Sequence, residues 1–192
     1  MTELRNAVLA IVKDHGLSHS EEPLKLASGE LSHDFIDGKA ALRRGRDLGT
    51  AGEAMLELVA ELGIEFDAVG GLTLGADHFA HIISFLAERE WFTVRKAVKG
   101  RGTNKRVEGA DLNADTRVLL VDDVVTTGGS IRDAYDEILK TGATVTGAIT
   151  LVDRGETARR FFREVGVPYG ALLTYRDLDI KPVGVLPDGS NL

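Results

Sequence analysis

Between residues 66 and 174 short apolar runs alternate with helical periods, and this rhythm restricts the architectures open to the chain more than any other feature. Strands are expected over 66–69, 91–94, 118–121, 145–152 and 169–174. Helices are expected over 76–86, 130–139 and 157–165. Gly70-Gly71 follows the first strand as a turn. The run Val118-Leu119-Leu120-Val121 is continuously apolar, as in a parallel strand covered on both faces. Strands joined by helices make right-handed βαβ crossovers and a parallel sheet. Ahead of this region, 4–12 reads as a helix closed near Gly16, Phe35-Ile36 as part of a short strand, and 48–62 as a helix ended by Gly63. The polar, basic stretch 95–109 is interrupted by glycines and reads as a loop. The tail 181–192 reads as loosely held. The expected fold is a doubly wound α/β sheet in a single domain over 1–192, with a small N-terminal hood over about 1–40.

Charge and composition narrow the function. The 192 residues carry 23 Lys and Arg against 30 Asp and Glu, a net charge of −7. Such a chain is not held on nucleic acid or an anionic membrane by bulk charge. Without Cys it has no disulfide framework and no thiolate metal or redox chemistry. No apolar stretch approaches the roughly 18–20 residues of a membrane helix. The opening residues lack the apolar core of a secretory signal, so a cytoplasmic protein with no membrane partner is expected.

The stretch from Val118 to Ser130 carries the chemistry. An apolar strand delivers Asp122 and Asp123, and Thr126-Thr127-Gly128-Gly129-Ser130 then opens a helix. Ligands of open α/β sheets lie beyond the carboxyl ends of the strands. Small residues let backbone N–H groups converge there, and the helix N-terminus adds partial positive charge, which makes a phosphate cradle. Carboxylates repel phosphate but accept hydrogen bonds from hydroxyls, so the pair suits a neighbouring polyol. A sugar phosphate satisfies both halves. Neither a P-loop nor a dinucleotide fingerprint is present.

At these residues the chain resembles the type I phosphoribosyltransferases, whose signature is a hydrophobic strand, two acids and a Thr/Gly-rich turn. Over most of its length it is similar to the orotate phosphoribosyltransferase family. Leu26-Ala27-Ser28-Gly29 with Phe35-Ile36-Asp37 looks like that family's N-terminal substrate segment. Val69 to Asp77 looks like its second sheet-end loop, Val94 to Gly109 like its mobile catalytic loop, and Val152-Asp153-Arg154 like its late strand end. The resemblance implies a homodimer that uses Mg²⁺ and phosphoribosyl pyrophosphate to convert orotate to orotidine 5′-monophosphate and pyrophosphate. It implies that Asp122 and Asp123 hold the ribose hydroxyls and that Thr126, Thr127, Gly128, Gly129 and Ser130 hold the 5-phosphate. Arg95, Lys96 and Lys99 would meet the pyrophosphate, partly across the dimer; Arg101, where the loop departs from the family, is expected to act on the leaving group through its charge alone. Arg154 and Phe35 would hold the base. The metal would be held mainly by the substrate, with no direct protein ligand.

Three positions depart from the best-known members. Ala27 stands where a Lys is frequent, Asp34 replaces the first of two aromatics, and Gly100-Arg101 replaces an Asp-His pair. Two further readings therefore stay open: transfer to another heterocyclic base, and a non-catalytic regulator that binds the same donor. Arg95, Lys96, Lys99, Arg101, Lys105 and Arg106 together could be read as a nucleic-acid patch, which the net charge disfavours. Asp77, His78 and His81 read as cap and surface groups at a helix start rather than as a metal site.

Overall fold

The computed structural model describes residues 1–26, 29–97 and 105–184. Its first element, α1 (Glu3–His15), is capped by the Thr2 hydroxyl, which accepts the Arg5 N–H, and ends at Gly16. An antiparallel hairpin follows, β1 (Leu17–Lys25) and β2 (Leu31–Ile36), and then the short helix α2 (Gly38–Ala41). β1 is absent from the sequence expectation because nearly all of it faces solvent and it carries no apolar alternation. Pairing with β2 holds it extended.

After α3 (Gly45–Glu61) comes the main sheet: β3 (Ala68–Leu72), α4 (Asp77–Ala87), β4 (Glu90–Val94), β5 (Val107–Gly109), β6 (Arg117–Val125), α5 (Gly129–Leu139), β7 (Thr144–Asp153), α6 (Thr157–Glu164) and β8 (Tyr169–Thr174). The strand order is β5-β4-β3-β6-β7-β8, parallel except for β5, which pairs antiparallel with β4. The doubly wound α/β expectation thus holds, with an antiparallel edge. That edge is one correction, since 107–109 was expected within the loop.

A second correction concerns β3, which runs through Gly70 and Gly71. A Cβ at Gly70 would lie 2.2 Å from the Phe92 carbonyl oxygen, so only glycine fits where β4 and its Phe92 ring press on β3. The start of the tail, 181–184, is a third, while 185–192 lie outside the described residues. Val183 is buried and donates its N–H to the Arg154 carbonyl at 2.8 Å, and the Gly184 N–H reaches Glu30 at 2.9 Å, so the segment to 184 is tied down.

The apolar run of β6 serves two cores. Leu119 and Val121 join one cluster with Val8, Met55 and Phe79. Val118 and Leu120 join another with Ile131, Ile138 and Phe162. Helices α1, α3 and α4 therefore cover one face of the sheet and α5 and α6 the other. Connections leave β3 and β6 in opposite directions across the sheet, so these neighbouring strands form the topological switch point at their carboxyl ends. Among the described residues no helix is long and apolar enough to cross a membrane.

Candidate active site

At that switch point β6 carries Asp122 and Asp123 near its carboxyl end, within the strand rather than after it as the sequence expectation of 118–121 had them, and they are only 5% and 8% exposed. The Asp123 N–H donates to Asp122 Oδ1 at 3.0 Å, and the Val124 N–H to Asp123 Oδ1 at 2.7 Å. Burial, followed by the charge of Asp123, pushes the Asp122 carboxyl well above its ordinary pKa. The turn after β3 closes over the pair: a Cβ at Gly75 would lie 2.5 Å from Asp122 Oδ1 and 2.6 Å from Asp123 Oδ1. From the hood side, Lys39 Nζ donates to Asp123 Oδ2 at 2.9 Å. Beyond the acids, Gly128 adopts a φ of 79° and α5 begins without a side-chain cap, so its first turn presents backbone N–H groups as an anion site would need.

Two cavities meet at the acid pair. One, of about 410 Å³, is lined by Leu26, Phe35, Lys39, Asp122, Asp123, Arg154 and the turn from Thr126 to Ser130. The other, of about 690 Å³, is lined by Lys39, the turn 73–75, Arg95, Lys96, both acids and Ser130. The structure therefore brings together Phe35, Arg95, Lys96, Asp122, Asp123, Thr126, Thr127, Gly128, Gly129, Ser130 and Arg154. Lys99 and Arg101, like Ala27, lie outside the described residues. A wider hollow of about 1250 Å³ between the hairpin and residues 179–184 is lined by neither acid of the pair nor the turn from Thr126 to Ser130.

Arg154 is 1% exposed and ties the sheet to the hood. Nη1 donates to the Asp34 carbonyl at 3.0 Å and Nη2 to Ser32 Oγ at 3.0 Å, while its buried Nε has no partner among the described residues. Burial lowers its pKa, and Asp34 and Glu30 oppose that. Just before it, Asp153 accepts the Gly155 N–H at 3.1 Å and the Tyr169 hydroxyl at 2.9 Å. Burial lifts the Asp153 carboxyl to about 6. Strand alternation explains the departure at Asp34. Its carboxylate turns to His19 Nδ1, 3.0 Å away, into the wider hollow, while Phe35 faces the acid pair's cavity. An acid at 34 leaves that cavity wall unchanged.

The other candidates separate. Arg106 is spent on Asp133 and Glu137 of α5, at 2.6 Å each, which removes it from any basic patch. Arg95 pairs with Glu108 at 2.8 Å across β4 and β5 while still lining the cavity. Asp77 accepts the Thr93 hydroxyl at 2.8 Å and His81 packs edge-on to Trp91. Among the described residues no three His, Asp or Glu side chains are grouped to hold a metal ion. Sequence reasoning missed Lys39 and gave Gly75 no role. Asp37 was the available signal, because its carboxylate caps Lys39 and Ala40 and so fixes a lysine just after a strand that enters the site.

A mostly parallel sheet with an acid pair, a Thr/Gly-rich turn opening a helix, and Arg95 and Lys96 at its switch point is the arrangement of a phosphoribosyl transferase class of protein. The phosphoribosyl transferase domain matches residues 49–161, and the chain belongs to that family. Among its relatives, the orotate phosphoribosyltransferase of Streptomyces avermitilis is 38% identical over 175 residues, covering 88% of this chain and 93% of that protein. The orotate phosphoribosyltransferase of Aquifex aeolicus is 37% identical, with 91% and 97% covered. Among solved structures, a phosphoribosyltransferase from Corynebacterium diphtheriae superposes with a TM-score of 0.79 at 30% identity, over 93% of this chain and all of that one (100%). The Mycobacterium tuberculosis orotate phosphoribosyltransferase in complex with phosphoribosyl pyrophosphate gives 0.74 at 29% identity, over 92% and 99%.

Proposed function

We propose that this chain transfers the phosphoribosyl group of phosphoribosyl pyrophosphate to orotate, forming orotidine 5′-monophosphate and pyrophosphate in de novo pyrimidine synthesis. The observation that carries this reading is the pair of cavities meeting at Asp122 and Asp123. One has a phosphate turn and an Arg154–Phe35 wall, the other a basic wall. The relatives named above supply the substrate assignment.

In this reading the ribose lies over the acid pair, its hydroxyls donating to Asp122 and Asp123, with its 5-phosphate in the turn from Thr126 to Ser130. The C1–oxygen bond to pyrophosphate breaks, C1 becomes oxocarbenium-like, and a ring nitrogen of the base forms the new bond. Negative charge then gathers on the leaving group, and Arg95 and Lys96 lie where it needs cations. Lys99 and Arg101 belong to the same loop and are assigned to the same task. Phe35 offers a ring face to the base, and Arg154 is the cation for the orotate carboxylate.

Mg²⁺ fits this site as an ion carried on the donor. It takes hard oxygen ligands and keeps waters and substrate phosphate oxygens in preference to an all-protein cage. Bound so, it supplies positive charge to the departing pyrophosphate. A cytoplasmic homodimer with the 95–109 loop shared between subunits completes the proposal. It is supported by the exposed Phe85 and Trp91 side chains on α4 and β4, a surface a second copy would cover.

The test follows orotate loss together with pyrophosphate release. Equimolar amounts, dependent on both substrates, are expected. A folded protein that binds the donor yet converts no orotate would overturn the assignment.

A further inference from the structure

Among the described residues, Lys39 is the one cation that lines both cavities where they meet, and it comes from an element outside the sheet. Its backbone is fixed twice. Asp37 Oδ1 accepts the Lys39 and Ala40 N–H groups, each at 3.0 Å, and Gly38 packs so closely on β6 that a Cβ there would lie 3.0 Å from Asp123 Cβ. From this seat Nζ reaches Asp123 Oδ2 at 2.9 Å, while Asp123 Oδ1 is held by the Val124 N–H. The Asp123 side chain is 12% exposed and that of Lys39 55%, so the carboxylate is enclosed while the ammonium still faces solvent in the cavity.

We propose that Lys39 is a positioning residue for the phosphoribosyl transfer, holding the Asp123 carboxylate oriented so that the ribose hydroxyls meet a ready acceptor. The inference rests on the donor-binding reading of this site. It adds the reason that the acid pair keeps an acceptor in Asp123 although burial and the neighbouring charge raise the Asp122 carboxyl. Like charges side by side and out of water favour keeping a proton on one of them. A proton there turns an acceptor into a donor and removes a hydroxyl contact. The ammonium from the hood offsets this, and it ties formation of the sugar site to docking of the hood.

The charged groups facing the pair agree with this role. Asp37 from α2 and Asp122 from β6 add negative charge, and Lys96 from the loop after β4 adds positive charge toward Asp122. His78 from α4 is pulled toward its neutral form by burial, which outweighs the attraction of Asp123. Partial burial lowers the Lys39 pKa, but the hydrogen bond to Asp123 and the charges of Asp123, Asp37 and Asp122 carry it above its ordinary value. It is therefore an ammonium wherever the carboxylates titrate.

The test compares wild type, Lys39→Met and Lys39→Arg in the full-length protein. An opposite charge at this range lowers a carboxyl pKa by about 1–3 units, and solvent exposure of the ammonium puts the effect at the low end. The acid limb of kcat/KM for phosphoribosyl pyrophosphate should therefore move up by about one pH unit in Lys39→Met, so that activity lost at pH 6 returns toward wild type at pH 8. Lys39→Arg should keep the wild-type limb. Titration of ¹³C-labelled aspartate carboxyls without substrate should show the same upward movement for the acid pair. This NMR readout needs no turnover, so it stands apart from a failure of the orotate assignment, which would appear as a wild type without product. An unmoved limb and unmoved carboxyl titrations in a folded Lys39→Met protein would overturn the proposal, as would a loss of kcat equal at all pH values.

Discussion

Replacing Tyr169 by Phe isolates one buried hydrogen bond behind the site. The hydroxyl donates to Asp153 Oδ2 at 2.9 Å, and the ring stacks on Phe162 with centroids 5.3 Å apart, a contact that Phe preserves. Burial first, against the Gly155 N–H and the Tyr169 hydroxyl, lifts the Asp153 carboxyl from 3.8 to about 6. The fold thus binds this proton more tightly than the unfolded chain does. Its contribution is fully present below pH 4 and is lost as pH rises through 6, by roughly 3 kcal/mol for a shift of about two units. The Tyr169 hydroxyl limits that loss by solvating the carboxylate. Its removal should cost about 1.5–3 kcal/mol where Asp153 is ionised and about 1 kcal/mol where it is protonated. Urea unfolding at pH 8 and pH 5, with midpoints compared at unchanged slope, reads the difference directly. The destabilisation should be clearly larger at pH 8. Equal costs at the two pH values, or a larger one at pH 5, would refute the argument that Asp153 carries a strained charge held by Tyr169.

Further outcomes are expected for the residues of the proposed site. Arg154→Ala should raise KM for orotate at least tenfold with KM for the donor nearly unchanged, since a charge-assisted pair contributes about 1.5–3 kcal/mol. An equal rise for both substrates in steady-state kinetics would leave Arg154 as only the tie between sheet and hood. Asp123→Asn should fold and lose turnover, and Arg101→Ala should lose kcat with donor affinity kept. Mixing the two variants should restore part of the activity through one hybrid site, and verified heterodimers without recovery would count against a loop shared between subunits.

The sheet was legible because β6 and β7 are buried on both faces, so their apolar runs could be nothing but central strands. The acid pair and the turn from Thr126 to Ser130 stood out for the same reason, as polar and small residues at the carboxyl end of such a strand. The hood was not. β1 owes its extended form to pairing with β2 and to no periodicity of its own, and β5 owes its strand to the exposed edge of β4. Lys39 was missed because its role depends on a contact 84 residues away in sequence, which no local pattern encodes. Arg154 was read as a base anchor alone. Its two bonds to β2 show that it also fastens the hood over the cavity, a structural duty visible only once the strands are in place.

Base choice is the most direct measure of the central claim. Pyrophosphate release from phosphoribosyl pyrophosphate is followed with orotate, uracil, adenine, hypoxanthine and nicotinate in turn, at equal concentrations with Mg²⁺. The account predicts that orotate gives the highest kcat/KM and that uracil, which differs by the carboxylate Arg154 is there to meet, is poorer by tenfold or more. A purine base outrunning orotate, or uracil matching it, would contradict the assignment.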